Sequence, residues 1–65
     1  MRVIREVVLK NGIKLRSCEI DGVFGVEFKD GDYDWIMVDV VKDEERLASI
    51  WNWAVDYLLY EWKKL

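Results

Sequence analysis

Sixty-five residues with one cysteine, no histidine and a net charge of −3 exclude a disulfide framework, a structural zinc site of Cys and His ligands, and any His-activated nucleophile. A hydrophobic fraction of 52%, with four Trp, three Tyr and two Phe, excludes disorder and predicts one small folded α+β domain over residues 1–65. The charge is unevenly placed: residues 1–20 hold five basic against two acidic residues (+3), residues 21–45 two against nine (−7), and the remainder balances to +1, so an electrically two-sided molecule is expected. A chain this short buries only about 60% of its unfolded surface, and a partner that covers more of it is expected.

Three turn signals, Asn11-Gly12, Asp21-Gly22 and Asp30-Gly31, divide the first forty residues into four runs rich in Val, Ile and aromatic side chains. Such spacing predicts strands over residues 2–10, 13–20, 23–29 and 33–41 and leaves no room for crossover helices, so the sheet is expected to be a four-stranded antiparallel β-meander. A three-residue loop at Lys10-Asn11-Gly12 sets Val7 opposite Leu15 and Glu6 opposite Arg16. A two-residue turn at Asp21-Gly22 then sets Leu15 opposite Phe28 and Ser17 opposite Val26, which keeps one apolar face continuous. A two-residue turn at Asp30-Gly31 adds Tyr33, Trp35 and Met37 to that face but also places Glu27 beside Asp34; a slip of one residue brings in Ile36 and Val38 instead. Both faces of the fourth run are therefore apolar, and Ile36, Val38 and Val40 on its second face are expected to be covered by something else.

After Val41 the period becomes helical. Asp43 is the predicted N-cap, Glu44 and Glu45 suit the positive end of the dipole, Lys63 and Lys64 suit the other, and one long helix is expected over residues 43–64, packed on the sheet. At 100° per residue, Leu47, Trp51, Ala54, Val55, Leu58 and Trp62 form the core stripe. Trp53, Tyr57 and Tyr60 form a second stripe beside Ile50.

Little in the sequence carries chemistry. Asp30-Gly31-Asp32-Tyr33-Asp34 has the alternating acids that open a calcium loop, but Trp35 stands where the sharp-turn Gly belongs and Val41 where the bidentate Glu belongs, so a solvated turn is expected and no metal. Cys18 has no base to activate it and is read as a small core residue. The dispersed glycines make no phosphate loop. No catalytic residue and no cofactor site is therefore assigned, and the chain is read as a non-enzyme. Sheet aromatics near Lys14, Arg16 and Lys29 offer an alternative, single-stranded nucleic-acid binding by these aromatics and the basic N-terminal hairpin, which a pI near 4.8 opposes.

Charges at Arg2, Arg5, Glu6 and Lys10 interrupt any signal-peptide core or membrane span, and the lone thiol suits a reducing compartment; a cytoplasmic location is expected. The functional expectation rests on excess apolar surface. Trp53, Tyr57, Tyr60, Ile50, Ile36, Val38 and Val40 are assigned to an interface of a protein–protein interaction module that forms a homodimer and binds an unidentified protein. Small size and absence of motifs also suit a regulatory or inhibitory accessory protein of a virus or mobile element.

Overall fold

In the computed structural model, which describes residues 1–62, the chain forms β1 (Arg2–Val8), β2 (Lys14–Ile20), β3 (Val23–Lys29) and β4 (Ile36–Val41), a 3-10 turn at Glu44–Arg46, and helix α1 (Leu47–Tyr60). The sheet is antiparallel in the order β1-β2-β3-β4. The architecture is thus α+β, a meander followed by one helix packed on it.

Local chemistry explains the first two hairpins. Gly12 takes a φ of 91°, and the Leu9 and Ile13 ends of its loop are joined by a 2.8 Å hydrogen bond from the Leu9 N–H to the Ile13 carbonyl. At the second turn both Asp21 (φ 53°) and Gly22 (φ 79°) are left-handed, the requirement of a tight turn matched to strand twist. The pairings follow as expected: Val7 with Leu15, Glu6 with Arg16, Leu15 with Phe28, Ser17 with Val26.

The third connection departs from the expected two-residue turn. Residues 30–35 form a longer loop, β4 starts only at Ile36, and Ile36 stands opposite Phe28 with Met37 opposite Glu27. Tyr33 and Trp35 therefore lie in the loop, and Met37 points away from the core; none of the three joins the apolar face. The physical reason is Glu27. It forms an ion pair with Arg16, whose guanidinium also lies 3.7 Å from the centroid of the Trp35 ring, so the acid avoids Asp34 and the aromatic gains a cation. A bulge at Val38 then sets Asp39 opposite Val26 and turns Val38 towards the helix, where it packs against the core.

Asp43 caps the helical segment by accepting from the Glu45 N–H at 3.0 Å, but the first turn is 3-10, and regular α-helix begins at Leu47. It ends at Tyr60, short of the expected residue 64. Beyond it the Glu61 and Trp62 N–H groups both donate to the Tyr57 carbonyl, at 2.8 and 2.9 Å. Lys63, Lys64 and Leu65 lie outside the described residues.

Leu47, Trp51, Ala54 and Leu58 seat α1 mainly over β3 and complete a core with Ile13, Leu15, Val26 and Phe28. Each large apolar side chain so buried contributes about 1.5–3 kcal/mol. The Asn11 side chain fastens hairpin to helix: its amide donates to the Leu58 carbonyl at 2.9 Å while its oxygen accepts from the Ile13 N–H at 3.2 Å.

Candidate protein-docking surface

A helix that seats Leu47, Trp51, Ala54 and Leu58 on the sheet must turn Trp53 and Tyr60 outwards, since Trp53 projects about 240° around the axis from Leu47. Both rings are more than half exposed, at 58% and 52%. They are not isolated. Trp53 stacks on Tyr57 with centroids 5.2 Å apart and planes within 7°; Tyr57 in turn meets Trp62 at 6.4 Å, and Trp62 meets Phe28 edge-on at 4.9 Å. A chain of rings therefore runs from the exposed helix face to the core. Tyr57 is half-buried within it.

Across from these rings lies β4, the edge strand. Ile50 and Val38 are both half-buried and pack on the core, and with Asp39, Ser49 and Trp53 they line a hollow of about 250 Å³. Trp53 is shared with a neighbouring hollow of about 370 Å³, lined also by Asp56, Tyr57, Tyr60 and Glu61. Near the end of the helix, Ile36, Tyr33, Trp62 and Asp30 enclose a third. The first hollow spans α1 and β4, the second lies on α1 and Glu61 alone, and through Trp53 the two make one aromatic and aliphatic surface, the seam, that carries the carboxylates of Asp39, Asp56 and Glu61. Lys10 lies at its end, the ammonium 5.7 Å from the Tyr60 centroid.

Six of the seven sequence-assigned interface residues, Trp53, Tyr57, Tyr60, Ile50, Ile36 and Val38, border this seam. Val40 does not. It stands opposite Gly25 on the face of the sheet that carries no helix. There Val3, Ile20, Met37 and Val40 are partly exposed around a buried Cys18, and Met37 lies over Gly25, its sulfur 3.1 Å from where a Cβ would sit. Periodicity alone cannot show Asp39, Asp56 and Glu61 as the rim of the seam, because acids on an exposed surface carry no signal of what they border. Trp62 belongs to the core stripe by periodicity, yet it reaches Phe28 from beyond the end of α1, with its indole N–H on Asp30 at 2.9 Å.

Reactive groups are few. Burial pushes the Cys18 thiol upward and the Glu27 carboxylate adds to the effect, so it is a poor nucleophile. Among the described residues no group of His, Cys, Asp or Glu is arranged to hold a metal ion, and no helix is long and apolar enough to cross a membrane. No protein-family model matches the chain, and neither a curated protein nor a solved structure matches it.

Proposed function

We propose that the chain is a non-enzymatic protein–protein interaction module and that the α1/β4 seam is its docking surface. The exposure of Trp53 and Tyr60 beside a hollow floored by Ile50 and Val38 carries this reading. Large amphipathic rings around an apolar floor are the usual composition of an interface centre. A nucleic-acid reading has less behind it: the Trp35 ring already holds Arg16, and Tyr33 stands on the loop with Asp30, Asp32 and Asp34, where phosphate would be repelled.

Self-association is assigned to the other face. Two copies joined at the seam by a two-fold axis would set one surface bearing Asp39, Asp56 and Glu61 against the same acidic surface of the other copy. On the helix-free face Glu6 and Glu27 alternate with Lys14, Arg16 and Lys29, and Val3, Ile20, Met37 and Val40 supply the apolar centre. A near-neutral, mixed-sign face suits contact with its own copy.

Affinity purification from native cells with wild type and the Trp53→Ser/Tyr60→Ser variant tests the docking reading. At least one protein retained by the wild type should be lost by the variant, and identical sets would overturn it. Sedimentation separates the second surface: Val40→Lys should abolish a dimer that Trp53→Ser/Tyr60→Ser retains, and a wild type that stays monomeric at high concentration removes self-association.

A further inference from the structure

Building on the seam as a docking surface, we infer the chemistry of what docks there: a basic amphipathic segment of another protein, its apolar residues on Ile50, Val38 and Trp53 and its Arg or Lys side chains reaching Asp39 in one hollow and Asp56 and Glu61 in the adjoining one.

Charge supplies the first reason. The two adjoining hollows are lined by Asp39, Asp56 and Glu61, and among the described residues no Lys or Arg lines either. A cation brought to either hollow meets a carboxylate there, while an acidic partner or a second acidic seam meets repulsion.

The rings supply the second reason. The molecule places a cation on an aromatic face repeatedly: Arg5 lies 4.4 Å from the Trp51 centroid and Arg16 3.7 Å from Trp35, and at the end of the seam itself Lys10 lies 5.7 Å from Tyr60. The Trp53–Tyr57 stack has no such partner among the described residues, although the indole is the best cation acceptor of the aromatic side chains. An Arg side chain suits the place doubly, because its plane can lie on the outer face of Trp53 while its fork donates to a carboxylate. From Ile50 to Tyr60 the groove runs about 15 Å at ~1.5 Å per residue, enough for roughly three helical turns or about five extended residues.

Three peptides of one amphipathic pattern provide the test, with Leu and Ala on one face and Arg, citrulline or Glu on the other. Each is titrated into the isotopically labelled full chain and followed by amide and indole shifts. The Arg peptide should bind, shift the Trp53 indole and the Asp56 to Glu61 amides, and weaken roughly tenfold against Asp39→Asn/Asp56→Asn/Glu61→Gln, a variant whose circular dichroism should match the wild type. Citrulline, the neutral isostere, should bind more weakly, and raised salt should narrow the difference. Equal affinity of the Arg and citrulline peptides with shifts still at the seam overturns the basic partner and leaves the docking surface standing. Arg-peptide binding with shifts elsewhere, or unaltered by Trp53→Ser/Tyr60→Ser, overturns both. No binding of the Arg peptide at millimolar concentration overturns the basic partner.

Discussion

The indole N–H of Trp62 donates to the Asp30 carboxylate at 2.9 Å, joining the segment after α1 to the end of β3 across thirty-two positions of chain. The same ring rests edge-on against Phe28. This contact closes the core at its open end and sets one wall of the seam. Trp62→Phe, which keeps a ring but removes the donor, should cost about 1–2 kcal/mol, and Trp62→Ala about 3 kcal/mol or more. Equilibrium denaturation measures both, and a Trp62→Phe variant as stable as the wild type would mean that the hydrogen bond contributes nothing.

Asn11 should be intolerant of charge. Its amide donates to the Leu58 carbonyl near the negative end of α1, so Asn11→Ala should cost about 1 kcal/mol. Asn11→Asp, which loses the donor and sets a carboxylate against that carbonyl, should cost more. A variant with Asp as stable as wild type would rule out this link between loop and helix.

Gly25 and Met37 are expected to be coupled. A Cβ at position 25 would stand 3.1 Å from the sulfur of the partly exposed Met37 side chain, which must give way, so Gly25→Ala should be less favourable in the wild-type background than without that side chain. In a Met37→Ala background the same change should be neutral or stabilising, since Ala orders the strand at lower entropic cost than Gly. A double-mutant cycle reads the coupling, and strictly additive effects would contradict it.

Cys18 predicts a pH dependence. Its folded thiol is held above the ordinary value of 9.0, mainly by burial. A group that holds its proton more tightly when folded gives stability that is complete below the unfolded pKa and is lost as pH rises through the folded one. Wild-type stability should therefore fall above pH ~9 more steeply than that of Cys18→Ala. Parallel profiles for the two proteins would contradict the assigned cause.

Turn chemistry and alternation made most of the fold legible from sequence. Asn11-Gly12 and Asp21-Gly22 specify loop lengths, and with lengths set only one register puts Val7, Leu15, Val26 and Phe28 on one face. Asp30-Gly31 is the same kind of signal, yet β4 obeys something else. Its two faces are nearly equal in hydrophobicity, so pattern cannot choose between them; the observed register sets Met37 and not Asp34 opposite Glu27 and leaves Trp35 in the loop, where its ring meets Arg16. The aromatic stripe of the seam was legible because helical period is rigid. Its carboxylate rim was not, because Asp39 comes from a strand and Asp56 and Glu61 from the helical segment, and only folding sets them around the same rings.

Trp53 and Tyr60 are assigned to docking and not to the fold, and equilibrium unfolding of Trp53→Ser/Tyr60→Ser tests that assignment most directly. Trp53 gives up its stack on Tyr57, and Tyr60 little beyond the Lys10 contact, so the variant should lose about 1–1.5 kcal/mol and keep the denaturant slope of the wild type. A loss of about 3 kcal/mol or more, the cost of emptying a core position, would instead place both rings in the intramolecular core and leave the seam without its anchors.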